Sequence, residues 1–217
     1  MKALPIATTG APLSILAIGA HSDDIEIGAG GTLLSWLAGA SPIDVDWCVL
    51  SANGPRNDEA RASADAILKK ARTRKLHLMN YKDGYFPAEY MSLKNFFQQL
   101  KDSVAPDIVL THHATDAHQD HRLIAELTTN TFRNHLVLGY EIPKWDGDLS
   151  RPNMYFALSE RALAIKIEHL MNHFATQRSK DWFDDETFRG LARLRGMECR
   201  APENYAEAFH VNKILIS

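Results

Sequence analysis

The sequence predicts an α/β fold: a Rossmann-like, mostly parallel sheet with helices on both faces and the active site at the C-terminal ends of the strands. Three observations predict it. Short apolar runs alternate with helix-length segments through the first half of the chain, the pattern of parallel strands joined by covering helices. Hydrophobic residues make up 45% and charged residues 24% of the 217, the composition of an ordinary globular protein with a sizeable core. Two segments rich in His and Asp each begin where a strand-like run ends, which is where open α/β sheets bind ligands.

Leu13 to Gly19 is short, mostly apolar and bounded by Pro12 and Gly19, so it reads as a buried strand. Gly28-Ala29-Gly30-Gly31 permits close backbone packing, and a helix is expected from Thr32 to Ala38, ending near Gly39. Val45 to Leu50 is the second strand and Ser51 to Pro55 a loop. Asn57 or Asp58 can cap a helix running to about Arg72, with Ala60, Ala64, Ile67 and Leu68 on one face. Lys75 to Met79 is a third strand, followed by a turn at Asp83-Gly84. Ser92 to Ser103 is helical, and Pro106 opens a fourth strand, Asp107 to Thr111. Beyond Arg122 the expected elements are a helix (Leu123 to Arg133), strands at Leu136 to Glu141 and Asn153 to Leu158, and a helix from Arg161 to Phe174. The stretch from Trp182 to Phe209 has no clean period. With no internal repeat or linker, residues 1–217 read as one domain.

Bulk properties narrow the function. A net charge of −3 gives no reason to expect a nucleic-acid partner. Cys48 and Cys199 do not make a disulfide framework, which fits a reducing cytoplasm. Met1 to Pro12 is too short and interrupted for a signal peptide, and no stretch approaches the roughly 20 apolar residues of a membrane span. The expectation is a cytoplasmic protein acting on a small molecule, with a homo-oligomer left open.

Of ten histidines, four lie between Thr111 and Arg122. His21 and Asp24, three apart on a loop, can turn to one cation, with Asp23 between them pointing elsewhere as a base. One of His118 and His121 can complete a metal site, the other can move a proton, and Asp120 or Asp116 can orient an imidazole. Such a set suits metal-assisted hydrolysis of an amide or ester. A nucleotide-binding module is disfavoured, because the glycines follow an acidic cluster that would repel phosphate. Asp83, at the end of the third strand, can bind sugar hydroxyls or simply form a turn. His112 and His113 are expected on the pocket floor, His113 as a substrate contact. The segment from Arg178 to Asp185, with Trp182 and Phe183, reads as irregular packing, with a substrate lid as the alternative.

Ala20-His21-Ser22-Asp23-Asp24, with Glu26 and the glycines following, resembles the opening motif of the PIG-L (LmbE-like) zinc-dependent de-N-acetylases. His118-Gln119-Asp120-His121 resembles their second motif, and Tyr205 to Phe209 a signature near their C-terminus. The resemblance implies that His21, Asp24 and His121 bind zinc, with iron(II) as the alternative. It implies that Asp23 is the general base and that His118, held by Asp120, stabilises an oxyanion or acts as an acid. Arg56 resembles a family arginine over the substrate. The implied substrate is an N-acetylated amino sugar or its conjugate; a non-sugar amide or ester is the alternative. Ser22 stands where the family usually has Pro.

Overall fold

The computed structural model describes residues 6 and 10–215, so the reading of Met1 to Pro12 falls largely outside the described residues. Along the chain run β1 (Leu13–His21), α1 (Asp24–Ala38), β2 (Ile43–Ser51), α2 (Pro55–Ile67), β3 (Thr73–Leu78), α3 (Tyr90–Ser103) and β4 (Ile108–His112). They are followed by α4 (Gln119–Thr131), β5 (Leu136–Tyr140), β6 (Met154–Leu158), α5 (Glu160–His173), α6 (Asp185–Cys199) and β7 (Tyr205–Val211). One sheet joins all seven strands in the order β3-β2-β1-β4-β5-β7-β6. The first five strands in that order are parallel, and β7 pairs antiparallel with both β5 and β6.

Alternation along β1 feeds two cores. Ile15 and Ala17 enter the one covered by α1, α2, α5 and α6, whereas Leu16, Ile18 and Ala20 enter the one covered by α3 and α4. The chain therefore leaves β1 towards one face and β4 towards the other, and β1 pairs with β4, Ile15 opposite Ile108. That divergence opens a crevice at the C-terminal ends of both strands. Among the described residues, no helix is long and apolar enough to cross a membrane.

The sequence reading of α1 needs correction. The helix starts at Asp24 and contains the glycine run that was expected to precede it. Each Gly costs a helix about 1 kcal/mol against Ala, but contact offsets this: a Cβ on Gly28 would lie 2.2 Å from Tyr140 Cδ2, and one on Gly31 2.7 Å from Leu158 Cδ1. A buried ion pair is let into the same turn. Glu207 accepts from Gly31 N–H (2.8 Å) and Thr32 N–H (2.7 Å), while Lys166 Nζ donates to Glu207 and to the Ile27 carbonyl, both at 2.6 Å. This is the role of the Tyr205–Phe209 signature: β7 fastens α1 from across the sheet. The segment without a clean period thus contains both α6 and β7. Likewise α4 starts at Gln119, four residues before the expected Leu123, and so carries the second motif in its first turn.

Candidate metal centre and active site

The crevice between β1 and β4 gathers both motifs. His21 is the last residue of β1, Asp23 holds the N-cap position of α1 without a side-chain capping bond, and Asp24 is the helix's first residue. From the other side, His118 is the N-cap of α4 and His121 lies in its first turn.

His21 Nδ1 lies 3.1 Å from His121 Nε2 and 3.4 Å from Asp24 Oδ2, and His121 Nε2 lies 3.5 Å from Asp24 Oδ1. Ligands about 2.0–2.1 Å from a tetrahedral ion sit roughly 3.4 Å apart; the three side chains stand near that separation, with His21 facing one Asp24 oxygen and His121 the other. The ligands are also held from behind. Asp116 Oδ2 takes His121 Nδ1 at 3.0 Å, which leaves Nε2 for the cation. Asp24 Oδ2 accepts from the backbone N–H of His21 at 2.6 Å. His112 stacks beneath His121 at 3.9 Å, and its Nε2 accepts from Ala20 N–H at 3.0 Å, so its lone pair is already used. Four groups among the described residues have the spacing of a metal site: three overlap in this crevice (His21, His118 and His121; His21, Asp83, His118 and Asp120; Asp24, His112 and His121), and the fourth is His113, Asp116 and Asp148. There the ammonium of Lys144 already stands between the carboxylates, 3.0 Å from Asp116 and 2.6 Å from Asp148.

The two adjacent aspartates are driven apart. Burial pushes the Asp23 carboxyl up, against the pull of the Arg56 guanidinium at 3.0 Å. Burial also acts on Asp24, but the imidazoles of His121, His112 and His21 outweigh it and hold that carboxyl well below the usual range. Opposite shifts in neighbouring carboxyls are the mark of divided roles: one to stay ionised, one to exchange a proton. His21 is shifted well above 6.5 although burial opposes it, because Asp24, Asp120 and Asp83 surround it. This acidic ring calls for positive charge. His121, pushed down to about 3 by burial and by His112, keeps a free lone pair.

His118 accepts from the backbone N–H of Asp120 through Nδ1 at 3.2 Å, so its proton sits on Nε2. Burial first, then His21, lowers its pKa. The Asp120 carboxylate does not hold the His118 ring, contrary to the implied pairing. Its oxygens are spent on Gly84 N–H (2.6 Å), Phe86 N–H (3.1 Å) and His21 Nε2 (3.3 Å), because α4 turns that side chain towards the loop after β3. Asp83 is 3.0 Å from His21 Nε2 and 3.2 Å from Arg56, so this turn residue joins the site. Ser22 Oγ donates to the Arg56 carbonyl at 3.0 Å. His113 lies behind the site: it stacks on His210 at 4.8 Å and bonds Thr115 at 3.2 Å, and it is not among the residues lining the cavity.

A cavity of about 90 Å³ opens over the cluster, lined by His21, Asp23, Asp24, Arg56, Asp83, His118 and His121 together with Ile142, Lys144, Lys180 and Trp182. Sequence reasoning missed Lys144 and Lys180. Lys144 follows the end of β5, where the strand-end rule could have found it; Lys180 had no signal beyond its neighbour Trp182.

A family model described as PIG-L, GlcNAc-PI de-N-acetylase, matches residues 16–132, over half of the chain. The chain belongs to the PIG-L family of de-N-acetylases. An Escherichia coli K12 protein described as an uncharacterized deacetylase, YaiS, is 29% identical over 174 residues, covering 73% of this chain and 89% of its own. The fold is similar to that of N,N'-diacetylchitobiose deacetylase from Pyrococcus horikoshii, with a TM-score of 0.64 and 17% identity over 91% of this chain and 83% of that one. It is also similar to GalB, the 4-carboxy-2-hydroxymuconate hydratase from Pseudomonas putida KT2440, with a TM-score of 0.68 and 17% identity over 94% and 98%. At these identities the two likenesses speak for the fold alone, and one fold can carry different reactions.

Proposed function

We propose that the protein is a metal-dependent N-deacetylase that cleaves an N-acetylated amino sugar or its conjugate to acetate and a free amine, with zinc, or alternatively iron(II), at His21, Asp24 and His121. The observation that carries this reading is the convergence of those three side chains beside an aspartate, Asp23, tuned in the opposite sense from Asp24. Membership of a family described as GlcNAc-PI de-N-acetylase supports both the amide and the amino sugar. The free cysteines, Cys48 buried and Cys199 partly so, support a cytoplasmic location.

A divalent cation at these ligands supplies polarisation of the acetamide carbonyl and acidification of a water. The chain's own residues supply the proton transfers and the charge complement. Asp23 accepts the proton of the attacking water, and Arg56 fixes the carboxylate in position to do so. His118 Nε2–H donates to the carbonyl oxygen as it takes on negative charge, a contribution of about two to three orders of magnitude in rate. The proton that the departing nitrogen needs returns from Asp23. The C–N bond then breaks, and acetate and amine leave.

Acetate release from a panel of N-acetyl sugars, before and after chelation, tests the reading. Turnover of at least one amino sugar, lost on metal removal and regained with zinc, is expected. Undiminished turnover after metal removal contradicts the metal, and turnover of esters or non-sugar amides alone contradicts the substrate class.

A further inference from the structure

Three cations line the cavity: Arg56, Lys144 and Lys180. Two are committed. Arg56 spans Asp23 and Asp83 at 3.0 and 3.2 Å. Lys144 spends its ammonium on Asp116, Asp148 and the Ile142 carbonyl, the last at 3.4 Å. Lys180 has no ion pair or side-chain hydrogen bond among the described residues, and its Nζ stands 5.2 Å from the ring centroid of Trp182.

Lys180 is nevertheless held in place. Its backbone N–H donates to the Gln177 carbonyl (2.9 Å) and its carbonyl accepts from Phe183 N–H (3.1 Å). Phe183 is buried against Phe188, with ring centroids 5.1 Å apart. Asp181 accepts from Trp145 Nε1 at 2.6 Å, and the Trp145 ring packs edge-on against Trp182 at 6.2 Å. The segment is therefore packed and hydrogen-bonded on both sides of Lys180. Trp182 Nε1–H is buried and also without a partner among the described residues. A charged donor left unspent on an anchored turn, beside the face of the Trp182 ring, suits an oxyanion better than a neutral sugar hydroxyl.

We propose that Lys180, beside the Trp182 ring, is a subsite for an anionic substituent, a phosphate or a carboxylate, on the amino sugar whose acetamide sits at Asp23. The proposal rests on the deacetylase reading above for the sugar, and on the Lys180 segment alone for the charge.

Calorimetric binding tests it, in an Asp23→Asn background that holds turnover off. Three probes are compared: N-acetylglucosamine, N-acetylglucosamine 1-phosphate and N-acetylmuramic acid, the last two separating phosphate from carboxylate. One anionic probe should bind about tenfold or more tighter than the neutral one, as a charge-assisted hydrogen bond provides. Adding Lys180→Gln should bring its affinity down to that of the neutral sugar, and Lys180→Arg should keep the preference. Equal affinity for all three probes, or a preference that survives Lys180→Gln, overturns the subsite; the latter result would place the anion at the metal. Equal weakening of every probe by Lys180→Gln overturns it as well. Acetate release by the unaltered protein is scored separately. A Lys180-dependent charge preference without acetate release would support the subsite and fail the deacetylase reading.

Discussion

Asp23 and Asp24 are joined by one peptide bond, yet Asp23 faces Arg56 while Asp24 faces three imidazoles. Neutralising each should therefore give a different phenotype. Asp23→Asn should keep its metal and lose roughly a hundredfold or more in kcat, as for loss of a general base; Asp24→Asn should lose metal. Kinetics alongside elemental analysis check this, and the reverse pattern would swap the roles. Ser22 offers a second residue-scale test. Proline stiffens a loop by fixing φ, and here the Ser22 hydroxyl ties the same loop to the Arg56 carbonyl instead. Ser22→Ala should cost about 1 kcal/mol in urea unfolding, the usual worth of one such bond. His118→Ala should retain metal and lose about two to three orders of magnitude in kcat, since only the oxyanion donor goes. A near-normal kcat would give that role to another group.

At the scale of elements, α1 shows why part of the fold was hard to read. β1 and β4 were legible, because buried strands are continuous apolar runs with punctuated ends. The start of α1 was not, since Gly28 and Gly31 lower helix propensity and the contacts that compensate, Tyr140 and Leu158, lie over a hundred residues away. Gly28→Ala should cost about 1–3 kcal/mol or more through overpacking against Tyr140, measurable as a drop in melting temperature. β7 escaped for a similar reason: Glu207 breaks an apolar pattern, and only Lys166 on α5 explains its burial. α5 also carries a pH-sensitive packing contact. His169 Nε2 meets Ser63 Oγ of α2 at 2.8 Å, Ser63 donates to Glu26, and burial lowers the His169 pKa from 6.5 to about 4. Between those values the unfolded chain takes up a proton that the folded chain refuses. His169's contribution is thus fully present above pH 6.5 and declines as pH falls towards 4. Urea titrations across that window should show a shallower fall for His169→Gln than for the parent; equal slopes would contradict the assignment.

At the scale of the whole molecule, the sheet order places the ends of β1 and β4 side by side, and the diverging helices leave the crevice in which His21, Asp24 and His121 meet. That both motifs converge was legible, because three-residue spacings at strand ends are local facts; spacing alone left open which of His118 and His121 faces Asp24. What supports the centre was not legible. Lys144, Lys180 and the true partners of Asp120 reach the site from segments whose position depends on the folded sheet. Of the four groups with metal-site spacing among the described residues, three share His21 or His121 and surround the proposed centre; in the fourth Lys144 occupies the space between Asp116 and Asp148. Metal stoichiometry in the parent, His121→Ala and His113→Ala tests this most directly. About one zinc or iron per chain is expected in the parent and in His113→Ala, with little left in His121→Ala. Undiminished metal in His121→Ala, or its loss from His113→Ala, would contradict the assignment of the centre.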